Sequence, residues 1–139
     1  MIDQLFEFAQ NHLLLVSAFL VLLVAWLAYE AQRSNTGVTS GEATALVNRE
    51  DGVIVDIREA NEFKAGHIAG AINIPNSKFD TRMNELKKHQ DKPVIVVCKT
   101  GQKAGIIVEK LKKEGYSRAA KLKGGMEQWQ ADSLPTVKR

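Results

Sequence analysis

Hydrophobic positions are distributed very unevenly along this chain. From Leu13 to Tyr29 it reads LLLVSAFLVLLVAWLAY without a charged residue, and the uncharged stretch reaches back to Phe8. As a helix this run is roughly 25 Å long, and Gln10, Asn11 and His12 add most of another turn, enough to cross a hydrocarbon core of about 30 Å. A cleaved signal peptide would want a basic start and a small-residue exit. Here the start carries Asp3 and Glu7 with no lysine or arginine, and the exit is Trp26-Leu27-Ala28-Tyr29-Glu30. A buried core helix would need more chain to wrap it than remains. The expected organisation is a flank at 1–12, a transmembrane helix at 13–29, a polar linker at 30–37 and a single folded domain at 38–139.

Beyond the linker, shorter apolar runs alternate with helical patterns. Thr39-Ser40-Gly41-Glu42 ahead of Ala43, Leu46 and Val47 is a capping-box start. Val53-Ile54-Val55-Asp56-Ile57 reads as a buried strand, Glu59 to Lys64 as a short helix, and Ala71 to Ile74 as a second strand closed by Pro75. A polar helix is expected from Asp80 to His89, with Met83 and Leu86 on one face. Pro93 to Val97 is the most apolar strand. Ala104 to Glu114 is a helix expected to turn Ile106, Ile107, Val108 and Leu111 inward, with Gly115 as its stop. Ala119 to Leu122 is a weaker strand, and Gly124-Gly125 opens a last helix with Met126 and Trp129. Continuous apolar strands separated by helices predict an α/β fold, a mostly parallel sheet flanked by helices on both faces, preceded by the transmembrane helix.

Charge sets the orientation. All 19 Lys and Arg residues follow the hydrophobic run, beginning with Arg33. The positive-inside rule then puts the C-terminal domain in the cytoplasm and the N-terminus outside a bacterial inner membrane, with Trp26 and Tyr29 at the cytoplasmic interface. A lone cysteine suits that reducing compartment. Lys110, Lys112 and Lys113 read as a solvated helix face, and too few aromatics are interleaved with basic residues for nucleic-acid binding.

The lone cysteine, Cys98, ends the strand Pro93–Val97 and opens the loop Lys99-Thr100-Gly101-Gln102-Lys103-Ala104, which leads into a helix. Unpaired N–H groups at a helix start, a central glycine and two lysines favour an anion, so the sulfur is placed to be a stabilised thiolate. A cysteine closing a Val/Ile strand is otherwise a small core residue. Ligands of parallel sheets collect beyond the carboxyl ends of the strands, where Asp56-Ile57-Arg58 also falls. His67, between Gly66 and Ile68, is expected as a packed turn residue and Trp129 as core.

From Val38 onward the chain resembles the rhodanese family. The resemblance is carried by Asp56-Ile57-Arg58 with Glu62-Phe63, by Gly66-His67-Ile68-Ala69-Gly70-Ala71-Ile72-Asn73-Ile74-Pro75 and by Cys98 to Ala104. Leu122-Lys123-Gly124-Gly125-Met126 with Trp129 and Leu134-Pro135 completes it. With its anchor the chain is similar to the membrane-attached single-domain rhodaneses of Gram-negative bacteria. The resemblance implies a sulfurtransferase without cofactor or metal, taking sulfane sulfur from a donor such as thiosulfate onto Cys98 as a persulfide. That sulfur would pass to cyanide or a thiol acceptor. Lys99, Thr100, Gly101, Gln102, Lys103 and Ala104 would form the anion cradle, and Asp56 and Arg58 would support it. Lys103 stands where the family often has arginine, so a point charge replaces a bidentate fork. The related cysteine phosphatases need an arginine six positions after the cysteine, where this chain has Ala104. The competing expectation is a scaffold that binds membrane-protein partners with the cysteine incidental.

Overall fold

The computed structural model describes residues 1–34 and 37–138. It divides into two units, Met1–Asn35 and Thr36–Arg139. In the first, α1 (Ile2–Asn11) and α2 (Leu13–Ser34) are separated only by His12, whose φ of −124° and ψ of 43° break the helix. Within α2, Leu13–Ala31 has a mean hydropathy of 2.3 with none of its residues buried, which is compatible with a single-pass anchor. The helix passes Tyr29 and runs into the segment expected as linker. Asn35 and Thr36 of that segment lie outside the described residues, as does the side chain of Arg33, the basic residue nearest the span.

The second unit is an α/β layer structure. Its elements run α3 (Ser40–Glu50), β1 (Val53–Asp56), α4 (Ala60–Ala65), β2 (Ile72–Asn73), a 3₁₀ turn (Asn76–Lys78), α5 (Phe79–Arg82) and a 3₁₀ segment (Met83–His89). Then follow β3 (Val94–Val97), α6 (Gln102–Lys113), β4 (Ala119–Lys121) and α7 (Gly125–Ala131). The sheet has the order β2-β1-β3-β4 and every pairing is parallel. Val38 adds a parallel bridge to Leu122 beyond β4, an extension one residue long that no periodicity could announce.

The capping box forms as the sequence predicts: Glu42 N–H donates to Thr39 Oγ1 at 3.2 Å, and Thr39 N–H donates to Glu42 Oε2 at 3.0 Å. Pleating sends alternate strand residues to opposite faces. Val55, Ile57, Val94, Val96 and Cys98 pack with Phe79, Leu86, Ile107 and Leu111. Ile54, Ile95 and Val97 pack on the other face with Ala43, Ile68, Leu122, Met126 and Trp129. Each large aliphatic or aromatic side chain so enclosed contributes about 1.5–3 kcal/mol of apolar burial.

Two expected elements differ. Ile106 is not inward: it is 53% exposed, while Ala104, Ile107, Val108 and Leu111 are buried. At 100° per residue those four set the core side of α6, and Ile106 falls on the opposite side. The polar helix expected at 80–89 is one α-turn followed by 3₁₀ winding. Three residues per turn stacks Met83, Leu86 and His89 on one side, so Leu86 is fully buried and His89 is half-buried, with its Nδ1 enclosed and without a partner.

His89 gives the domain a pH-dependent element. Burial, then the charges of Lys92 and Lys88, hold its pKa below the ordinary histidine value. The folded state therefore binds fewer protons than the unfolded chain, so stability rises with pH. The contribution is complete above the unfolded value of roughly 6.5 and is lost as pH falls through that value toward the lower folded one. Melting temperature should decline modestly across this window in wild type, and His89→Gln should flatten the decline.

Candidate active site at the carboxyl edge of the sheet

The chain leaves β3 at Cys98 and must turn sharply to enter α6. Gly101, buried and at a φ of +98°, makes that turn and serves as the N-cap of α6, with no side chain to cap the helix. Its N–H donates to Cys98 Sγ at 2.9 Å. Of the unpaired N–H groups expected to favour an anion here, this is the one, among the described residues, in hydrogen-bond contact with the sulfur. Lys99, Thr100, Gln102 and Lys103 turn their side chains to solvent, whereas Ala104 is buried. The loop thus faces the sulfur with backbone and the solvent with side chains. Cys98 itself retains 5% of its surface.

The loop is held from behind by the start of α7. Met126 N–H donates to Cys98 O at 2.9 Å and Glu127 N–H to Lys99 O at 3.0 Å. Two otherwise unpaired donors of a helix start are thereby used, together with the two loop carbonyls. This contact requires Gly125. Its φ is +59°, and a Cβ there would collide with the carbonyl oxygen of Cys98 and stand 2.7 Å from both C and O of Lys99. The sequence marks this residue only as the second of two glycines before a helix; its neighbours Cys98 and Lys99 lie far upstream and are visible only in three dimensions.

Gly125→Ala should therefore cost about 2–4 kcal/mol, from the left-handed backbone and from overpacking against main chain. Thermal unfolding reads the loss directly. Alkylation of Cys98 by a small reagent should also become faster, because the displaced loop no longer covers the sulfur.

Asp56 and Arg58 come to the same edge of the sheet but to its other face. Asp56 lies in register with Val97 and between Val55 and Ile57, which face the Cys98 side. Its carboxylate accepts from Arg58 Nε at 3.0 Å and from Nη2 at 2.8 Å, with side-chain exposures of 1% and 9%. Arg58 Nη2 also donates to Gly66 O at 2.7 Å, and Asn73 Nδ2 donates to the carbonyls of Asp56 and Arg58 at 3.0 and 2.9 Å. The pair thus ties β1 to the segments that bracket Gly66 and β2, and its hydrogen bonds do not reach the Cys98 loop.

The histidine of the intervening turn is structural. His67 is 4% exposed, stacks on Phe63 with ring centroids 3.7 Å apart, and places Nδ1 2.7 Å from Phe63 O. Its backbone pairs in both directions with Val137, at 2.9 and 2.8 Å. An open depression of about 560 Å³ is lined by Phe63, His67, Ala69, Gly70, Ala71, Val137 and Lys138, and Cys98 is not part of it. Trp129 is core and donates Nε1–H to Pro135 O at 3.1 Å.

A four-stranded parallel sheet with a cysteine in the β3–α6 loop defines a recognisable class. The family model for the rhodanese-like domain matches residues 39–132, and the chain belongs to the rhodanese family. It is 39% identical over 140 residues to YibN of Escherichia coli K12, described as uncharacterized, across 98% of each chain. It is 31% identical to the thiosulfate sulfurtransferase GlpE of Pseudoalteromonas translucida, over 73% of this chain and 95% of that one. Among solved structures, a rhodanese-related protein from Thermoplasma volcanium superimposes with a TM-score of 0.67 at 26% identity, covering 75% of this chain and 99% of its own.

Proposed function

We propose that this chain is a sulfurtransferase tethered to the bacterial inner membrane by α2, with its rhodanese domain in the cytoplasm and Cys98 as the sulfur carrier. The observation that carries the reading is the Gly101 N–H directed at Cys98 Sγ in a loop whose backbone is clamped by α7. A donor at that position stabilises negative charge on sulfur before and after transfer. The thiolate is the attacking form of cysteine.

With thiosulfate as donor, Cys98 Sγ attacks the sulfane sulfur. A new S–S bond forms to the protein, the donor's S–S bond breaks, and sulfite leaves with its electron pair. A thiolate acceptor, or cyanide, then attacks the outer sulfur of the persulfide and Cys98 Sγ departs as thiolate. Neither step changes the total proton count when attacker and leaving group are both anionic. Lys99 and Lys103, exposed beside the loop, draw the anionic donor toward the site by long-range attraction. The relationship to GlpE supports this reading.

The test is mass spectrometry of the purified full-length protein after exposure to thiosulfate or a low-molecular-weight persulfide. One added sulfur on Cys98, removed by a thiol, is the expected result; an unmodified Cys98 with every donor would overturn the reading.

A second reading has an observation of its own: Cys98 is 95% enclosed, as an inert core thiol would be. In that case the domain is a scaffold for membrane-protein partners. Crosslinking in native membranes then captures the same partners from wild type and Cys98→Ser, and no persulfide forms.

A further inference from the structure

We infer that α1 is an interfacial helix, lying flat in the headgroup region of the bilayer at the N-terminal end of the span. The inference rests on the reading of α2 as a membrane anchor and goes beyond it, since an anchor needs no helix before it. Three observations converge. At 100° per residue, Ile2, Leu5, Phe6, Phe8 and Ala9 of α1 occupy one arc of roughly 160°, and Asp3, Gln4, Glu7, Gln10 and Asn11 fill the opposite arc without mixing. Among the described residues the apolar arc is left largely uncovered: Ile2, Leu5, Phe6 and Phe8 are 57–71% exposed and α1 buries no residue. The helical backbone breaks at His12, one residue before the apolar stretch Leu13–Ala31 begins.

The break decides what covers the arc. The hydrocarbon region must begin close to Leu13, so a ten-residue helix, about 15 Å long, joined to it through one residue cannot leave the membrane surface. Directed away from the bilayer, it would hold two phenylalanines, a leucine and an isoleucine in water. Drawn into the bilayer as a longer span, it would carry Asp3 and Glu7 into hydrocarbon. Lying flat, it buries the apolar arc at the acyl boundary and leaves both carboxylates in water. Phe8, at the edge of the arc, meets the His12 ring at a centroid distance of 4.8 Å and holds the corner. Most interfacial helices add lysines that attract anionic lipid. α1 has none, so apolar burial holds it and anionic lipid is not required for its seating.

Site-directed spin labelling of the full-length chain in liposomes tests this. In a Cys98→Ala background, labels are placed one at a time at residues 2–11 and, as a control for the span, at Leu20→Cys. Accessibility is read with oxygen, which concentrates in lipid, and with a water-soluble nickel chelate. The ratio of oxygen to nickel accessibility should oscillate with the helical period, several-fold higher at Leu5→Cys and Phe6→Cys than at Asp3→Cys and Glu7→Cys. The oscillation should persist from pure phosphatidylcholine to vesicles containing phosphatidylglycerol.

A uniformly low ratio along α1 with a lipid-exposed Leu20 label would mean a helix standing in water, overturning the inference while the anchor stands. A uniformly high ratio would mean a longer span and would overturn it too. Strong dipolar broadening between labels at Phe6→Cys would assign the arc to a second copy instead. Nickel access at Leu20 would sink the anchor and the inference together. Because a label can disturb a short helix, Phe6→Ser and Glu7→Ser substitutions, each combined with the label at Leu5→Cys, supply a second reading. Removing Phe6 should raise nickel access at residue 5, and removing Glu7 should leave it unchanged.

Discussion

Cys98→Ser should abolish persulfide formation and lower thiosulfate-dependent thiocyanate production by at least ~10³-fold, the scale of loss when a covalent nucleophile is removed. The hydroxyl is nearly isosteric and can still accept the Gly101 N–H that now meets Sγ at 2.9 Å. It is not ionised at neutral pH and forms no stable bond to sulfane sulfur. The fold should survive, because the residue's backbone carbonyl remains bound by Met126 N–H. Equal melting temperatures for the two proteins would establish that the lost activity is chemical. Residual thiocyanate production equal to wild type would remove the transferase reading and leave the scaffold.

How much of this fold is legible in the sequence follows from where information is local. A strand buried on both faces has to be apolar throughout, so β1 and β3 show as Val/Ile runs, and the cysteine that ends β3 is placed with them. The capping box at Thr39 is equally self-contained. Ile106 departs from its expected place for a related reason. Ile106, Ile107 and Val108 are adjacent, and three consecutive apolar residues on a helix cover too wide an arc to say which one faces out. The tie between Gly125 and the Cys98 loop is non-local, and so is the pairing of His67 with Val137.

Asp56 shows a subtler limit. Sequence reasoning placed it correctly at the end of a strand, but the face it presents depends on strand register. Pairing Asp56 with Val97 puts it one residue out of phase with Cys98. Two residues can thus share one edge of a sheet and face its opposite sides.

That separation has a measurable consequence. Asp56→Ala leaves the Arg58 guanidinium, whose side chain is only 9% exposed, with the Gly66 carbonyl as its remaining partner. Stranding one member of a buried ion pair costs about 3–5 kcal/mol. For a domain of this size each kcal/mol lowers the melting temperature by roughly 4–8 °C, so a drop of about 12–40 °C is expected. Replacing both residues, as in Asp56→Ala with Arg58→Met, removes the stranded charge and should recover much of the loss, which a double-mutant cycle would resolve. Because Asp56 lies on the face opposite Cys98 and the pair's side-chain hydrogen bonds run to Gly66 rather than to the Cys98 loop, sulfur loading per folded molecule should be unchanged at temperatures below the lowered transition. Were Asp56→Ala to fold stably yet fail to load sulfur, the pair would belong to the chemistry of the site, and its orientation away from the Cys98 loop would have to change when a donor binds.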